Sequence, residues 1–204
     1  MVCGNPQSVK TTALETVLAL LLYNIHIIRR CYESFFVHIF SRRAKMSLNI
    51  VIFGNLFYIL TVILITHSWP GFVFGTSLDP ITLQDFSWRL IICSAVFIYA
   101  MYHQYQSHRI LANLRLNKSG QVTSEGYFPP SGGYFELVSS PHMLFECLIY
   151  ISLLGILWEN KSLLAVTILV VVNQCKFAHE SHLWYKENFP NYPVNRRAII
   201  PFLI

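Results

Sequence analysis

Residues 103–115, HQYQSHRILANLR, set two histidines, two glutamines, an asparagine and two arginines directly behind an apolar run that ends near Tyr102. At helical spacing His108, Ala112 and Arg115 share a face, and Gln104 falls on it one turn before His108. Further polar groups recur at the ends of other apolar stretches. Arg29 and Arg30 close the first, His179, Glu180, His182 and Tyr185 close the last, and Arg196 and Arg197 follow in the tail. Glu146 lies within the apolar stretch MLFECLIYISLLGILW, where a carboxylate is expensive unless paired or facing a polar cavity. Its partner is expected among Arg30, His182, Arg196 and the amide of a bound cofactor, with the amide favoured.

Cationic, amide and phenolic groups near one carboxylate suit a phosphate-rich cofactor that carries a ribose and an amide-bearing ring. Arginine grips phosphate bidentately through its planar fork. The plainer reading of 103–115 is an amphipathic helix lying on a membrane surface, its cations meeting anionic headgroups. No GxGxxG follows a strand pattern, which excludes a Rossmann site.

The elements that must position these groups follow from composition. Of the 204 residues, 54% are hydrophobic and only 12% charged, about half the charged share of a soluble domain. Five stretches read as membrane spans: 12–28, 47–66, 88–102, 143–158 and 162–178. The connecting charges alternate. Arg29, Arg30, Arg42, Arg43 and Lys45 lie after the first span, whereas 67–87 holds Asp79 and Asp85 without Lys or Arg. The stretch 103–142, expected to be a loop, is basic again, the turn at 159–161 is balanced, and the tail is basic. The positive-inside rule then places the two long basic loops and the C-terminus in the cytosol.

The net charge of +5 therefore belongs to cytosolic loops, which argues against a nucleic-acid partner. Five scattered cysteines without CxxC or Cys/His ligand spacing imply neither disulfides nor a metal. Pro129, Pro130, Gly132 and Gly133 break helix and predict a turn before Phe135. The expected architecture is an all-α, polytopic membrane bundle of about five spans. Residues 12–204 form one membrane domain behind a start, 1–11, that matches nothing further along.

Four blocks carry a resemblance: HQYQSHRILANLR (103–115), GGYFELVSSPHMLFE (132–146), SHLWYKENFPNYPVNRRAIIPFLI (181–204) and HIIRRCYESFFVHIFS (26–41). In that order they resemble the steroid 5-alpha-reductase family, in its polyprenol (polyprenal) reductase branch. The resemblance implies a seven-helix bundle with a lumenal N-terminus, a cytosolic C-terminus and NADPH bound in the cytosolic half. It implies cofactor contacts at Arg30, Gln104, His108, Arg115, Tyr127, His142, Glu146, His182, Tyr185 and Arg196. Family members often carry Asn at the positions of Gln104 and His142, an acid at His108 and Arg at Phe128. The first two family helices, with a glutamate that positions the substrate carbonyl, have no counterpart, so the chain reads as N-terminally shortened. The family tyrosine of the third helix aligns near Ile27, which leaves His26 beside it as the ready proton donor.

The reaction so implied is NADPH-dependent reduction of the alpha-isoprene double bond of polyprenol or polyprenal towards dolichol. It would take place in the endoplasmic reticulum membrane and supply the lipid carrier of protein N-glycosylation. An allylic alcohol offers no sink for the charge that hydride brings, whereas an aldehyde makes the beta carbon electrophilic. The expected species is therefore polyprenal, with hydride going to the beta carbon and a proton to the alpha carbon. The rival readings are an isoprenylcysteine-type membrane methyltransferase and a non-catalytic, shortened membrane protein. The expected partners are a polyprenyl lipid and membrane lipids.

Overall fold

The computed structural model describes residues 11–40, 47–69, 85–116 and 128–201, with single positions at 45, 71 and 122. Five long helices make up the described residues: α1 (Ala13–Tyr32), α2 (Leu48–Thr66), α3 (Trp88–Asn113), α4 (Pro141–Ile156) and α5 (Lys161–Asn188). A π-helical turn, Glu33–Val37, extends α1, and a 3₁₀ turn, Gly133–Glu136, precedes α4. No strand is present among the described residues, only two isolated bridges, Leu116 with Val122 and Val138 with Arg197.

Three helices start on side-chain caps, and a fourth starts on proline. Thr12 and Glu15 form a reciprocal capping box on α1, with Glu15 N donating to Thr12 Oγ1 at 3.2 Å. Ser87 accepts from Leu90 N at the start of α3, and Asn160 accepts from Leu163 N at the start of α5. Pro141 opens α4, where its missing N–H has no intrahelical partner to lose.

Three helices outrun the apolar stretches that predict them. The first stretch was expected to end at 28, the third at 102 and the last at 178, but the helices run on to Tyr32, Asn113 and Asn188. The cause is plain for α3. Between Trp88 and Asn113 there is no Pro or Gly, and its polar residues Gln104, Ser107 and His108 are buried against neighbouring helices. Residues 103–113 are therefore neither loop nor separate surface helix; they are the second half of a bundle helix.

The core runs along α1, α3, α4 and α5, with Tyr23, Phe97, Phe145, Ile149, Tyr150 and Leu163 fully buried. The closest pair is α3 with α4. A Cβ at Gly155 would stand 2.5 Å from Cys93 Sγ, so a larger residue there would have to turn that thiol aside. At the same end Arg89 donates to the carbonyls of Gly155 (2.5 Å) and Ile156 (2.7 Å) and pairs with Glu15. It thereby satisfies the last turn of α4 and ties three helices. Asn160 likewise donates to Leu64 O at 3.1 Å, holding the end of α2 to the start of α5.

By length and apolar composition, α2 and α5 can each cross a membrane, and α4 is a shorter apolar helix. The outer face of α2 is mostly apolar, with Ile50, Phe53, Leu56, Ile59 and Ile63 exposed. An apolar surface of that kind calls for a non-aqueous neighbour.

Candidate functional site

At the end of the bundle opposite Arg89, three helices turn their polar residues inward. On α1 and its π-turn the series His26, Arg29, Arg30, Glu33 recurs at helical spacing, so all four can face one way. On α3, Gln104 and His108 lie one turn apart, and on α4 so do His142 and Glu146. The three faces meet in one network.

Glu33 is its centre and is completely buried. Arg29 Nη1 donates to one carboxylate oxygen, and Arg30 Nη1 donates to the other at 2.5 Å. His108 Nδ1 lies 2.9 Å from both Glu33 Oε2 and Arg30 Nη1. One ring nitrogen serves as donor or as acceptor, not both, so it serves one of them at a time. Burial by itself would raise the Glu33 carboxyl; the hydrogen bond and charge of His108 and the charges of Arg29 and Arg30 outweigh it, leaving it at about 2. Burial, with the nearby His108 and Arg30, pushes His38 down to about 4.

Gln104 carries the network from α1 to α4. It accepts from Arg29 Nη2, and its amide nitrogen donates to His142 O at 3.1 Å and to Glu146 Oε2. His26 completes the ring: its Nδ1 lies 3.2 Å from Arg29 Nη2, and its Nε2 is 3.5 Å from Glu146 Oε1. His26, fully buried, stacks on Tyr23 and stands within 6.4 Å of the ring of Tyr58.

The partners expected for Glu146 are therefore partly corrected. His182 and Arg196 are engaged elsewhere, with the C-terminal tail. Ser139 Oγ lies 2.6 Å from His182 Nδ1 and 2.7 Å from the Tyr192 hydroxyl, and Ser139 N donates to Arg197 O at 2.7 Å. Arg196 is buried, donates to Pro130 O at 2.9 Å and lies over the Tyr192 ring at 5.0 Å. These contacts lay the tail beside residues 137–140, immediately before α4. The turn there uses positive φ at Gly132 (92°) and Gly133 (55°), as the Pro/Gly pattern predicts.

Two cavities adjoin the network. One of about 270 Å³ is lined by His38, Phe40, Leu111, Ala112, Arg115, Phe128 and Tyr185. It brings Arg115 and Tyr185 together. The other, about 370 Å³, lies between α2, α4 and α5, lined by Phe53, Phe57, Tyr58, Glu146, Tyr150, Leu169, Val170, Asn173 and Gln174. Tyr127 lies outside the described residues.

Of the residues expected to serve one site, His26, Arg30, Gln104, His108, His142 and Glu146 stand together. Arg115 and Tyr185 share the neighbouring cavity. Sequence reasoning missed Glu33, whose signal was its spacing of three and four residues from Arg30 and Arg29. It also missed Tyr58, which an otherwise apolar span conceals.

Comparison with known proteins gives the family. Residues 44–204 match the family model described as 3-oxo-5-alpha-steroid 4-dehydrogenase. The chain belongs to the 3-oxo-5-alpha-steroid 4-dehydrogenase family. Relatives within reach of it include the polyprenal reductase of Drosophila melanogaster, 38% identical over 177 residues, covering 86% of this chain and 54% of that protein. The polyprenal reductase of Homo sapiens is 34% identical over 199 residues, covering 94% of this chain and 60% of that one. That of Xenopus tropicalis is 36% identical and covers 98% of this chain and 65% of its own length. The chain thus spans less than two thirds of the length of these relatives. The 3-oxo-5-alpha-steroid 4-dehydrogenase match starts beyond α1, so it takes in Gln104, His108 and Glu146 but not His26, Arg30 or Glu33. The Xenopus alignment, with its fuller cover, extends the likeness over α1 as well.

Proposed function

We propose that this chain supplies the cofactor-binding part of an NADPH-dependent polyprenal reductase, which reduces the alpha-isoprene double bond on the way to dolichol. The observation that carries the reading is the buried network from Glu33 to Glu146, set in a bundle that exposes many large apolar side chains. Family membership favours a reductase over a methyltransferase, and the named relatives give the substrate class.

The residues suit a phosphate-bearing nicotinamide cofactor. Buried Arg29 Nε, Arg30 Nε, Arg196 Nε and His142 Nδ1 have no hydrogen-bond partner among the described residues, and such groups are costly unless a ligand or water meets them. NADPH, when bound, would supply the hydride. Arg30 and Arg115 would hold its phosphates, with His108, Tyr127, Tyr185 and His182 around the ribose and adenine portions. Gln104, His142 and Glu146 would hold the amide-bearing ring, and Arg196 would keep the covering tail in place. Glu146 accepts only, so it suits an amide N–H. His26, beside Glu146, would hold a proton near the reacting carbons. Glu33 would keep both arginines and His108 in register.

In this reading all five helices span the endoplasmic reticulum membrane and the network faces the cytosol. The charge alternation supports that orientation. The test is direct. The full chain in nanodiscs should quench or shift NADPH fluorescence and protect Arg115 from arginine-selective modification, and it should reduce polyprenal when supplied with NADPH. Protection by S-adenosylmethionine in place of NADPH would overturn the reading.

A further inference from the structure

We infer that a cavity between the second half of α3 and the 3₁₀ turn before α4 binds the choline headgroup of a phospholipid, with Tyr102, His103 and Tyr134 holding its quaternary ammonium. The cavity shares no lining residue with the two that adjoin the ion-pair network. The inference rests on the bundle lying in a membrane, not on the reductase reading.

The cavity measures about 490 Å³, and three of its lining residues, Tyr102, His103 and Tyr134, are aromatic. The imidazole of His103 lies on Phe145, with centroids 5.5 Å apart and planes 27° apart. Tyr102 and Tyr134 stand almost at right angles to it, at 80° and 75°, their centroids 5.1 and 5.0 Å away. Three rings thus set a floor and two walls. The Tyr134 hydroxyl is bonded to that of Tyr99, which fixes one wall in place. Among the described residues, no Lys, Arg, Asp or Glu lines the cavity.

A lining of this make-up selects by charge and hydration. A phosphate or carboxylate finds no Lys or Arg in it. A primary ammonium would bring three N–H donors and meet no carboxylate. A trimethylammonium group has no N–H to satisfy, and ring faces attract it through cation–π interaction. The surroundings fit the rest of a phospholipid. Tyr102 closes the apolar run of α3, the level at which aromatic side chains meet the membrane–water boundary. Ile91, Ile98 and Tyr102, spaced by seven and four residues, are exposed on one side of α3 and make a track for an acyl chain. Arg109, seven residues beyond Tyr102, is exposed on that same side and lies over the Tyr105 ring at 5.9 Å. It supplies a cation for the phosphate that adjoins a bound choline.

Lipid retention tests this without turnover. Wild type, Tyr102→Leu, Tyr102→Phe, Tyr134→Leu and Arg109→Gln full chains are placed in nanodiscs of phosphatidylcholine, phosphatidylethanolamine and phosphatidylglycerol in equal amounts, with the same acyl chains. The proteins are moved into mild detergent, and the lipids that stay bound are counted by mass spectrometry. Wild type should keep phosphatidylcholine about ten-fold over phosphatidylethanolamine, the scale of a desolvated cation–π contact. Tyr102→Leu and Tyr134→Leu should each erase most of that preference, whereas Tyr102→Phe, which keeps the ring, should retain it. Arg109→Gln should lower both lipids and preserve their ratio. NADPH fluorescence should match wild type throughout, since none of these residues belongs to the ion-pair network. Equal retention of the two lipids by wild type, or a preference that survives both leucine variants, overturns the proposal. So does a preference for phosphatidylglycerol, which would make Arg109 the recognising group. Displacement of the bound phosphatidylcholine by geranylgeranial would hand the cavity to a polyprenyl chain and overturn the choline assignment as well.

Discussion

Glu146 and His26 face each other across the α1–α4 contact, Oε1 to Nε2 at 3.5 Å, with His26 wholly buried and Glu146 nearly so. Gln104 bonds the other carboxylate oxygen, so Glu146 joins residues from three helices. A nicotinamide amide would have to share or replace one of these partners. Glu146→Gln keeps the size of the side chain but gives up a charged acceptor. The variant should still accumulate in the membrane, and polyprenal reduction should fall about ten- to a hundred-fold, the effect of one charge-assisted hydrogen bond. Normal turnover per molecule with poor accumulation would make Glu146 a structural ion-pair partner only.

Glu33 should behave in the opposite way. It neutralises two arginines in a fully buried place, and breaking such a set typically costs about 3–5 kcal/mol. Glu33→Gln should therefore lower the thermal midpoint of the protein in nanodiscs before any assay of activity. An unchanged midpoint would show that Arg29 and Arg30 are satisfied without it.

Acid sensitivity should come in two windows. The folded value of His38 lies at about 4, below its ordinary 6.5, so the unfolded chain binds more protons between these limits. Stability is then lost as pH falls from about 6.5 to 4. Glu33 lies at about 2 against an ordinary 4.5, so its contribution is present above 4.5 and lost as pH falls towards 2. That shift is worth on the order of 3 kcal/mol. Midpoints measured against pH should show the lower window shrink in Glu33→Gln and the upper one in His38→Asn. A single window common to all three proteins would contradict the assignments.

Arg115 tests the cofactor reading away from the ion-pair network. It lines the smaller cavity with His38 and Tyr185. Arg115→Ala should raise the apparent constant for NADPH about ten-fold or more while leaving that for polyprenal nearly unchanged. If the two constants move together, Arg115 serves the fold or the headgroups, not the cofactor.

Much of this site was legible because polar residues in a greasy chain are few and each demands a reason. His108, Gln104 and Glu146 stood out from apolar neighbours, and the structure brings them together. Glu33 did not, since a carboxylate following two arginines near a helix end reads as an ordinary surface pair. Only tertiary packing buries it. Tyr58 was hidden for a different cause: a phenol inside an apolar span fits the hydrophobic pattern, and its polarity matters only once the cavity exists. Helix ends failed at 102 and 178 because apolarity marks what can face lipid, whereas a helix with buried polar contacts runs on past that limit. His182 and Arg196 matched the family pattern, but no sequence signal told that Ser139 and Pro130 would take up their polar atoms.

The last prediction separates the two ends of the bundle. Arg89 binds Glu15 and the carbonyls of Gly155 and Ile156, a cluster chemically like that around Glu33 but placed at the other end of the helices. If the first cluster is an anchor and the second a working site, their loss should differ in kind. Arg89→Met keeps the length of the side chain and removes its charge, leaving Glu15 and two carbonyls with weaker partners. The thermal midpoint should drop by several degrees, consistent with about 2–4 kcal/mol for a part-buried charged network. The constants for NADPH and polyprenal, measured below that midpoint, should stay within about two-fold of wild type, since sites this far apart normally act independently. A tenfold rise in either constant with an unchanged midpoint would mean that the Arg89 end also touches a ligand.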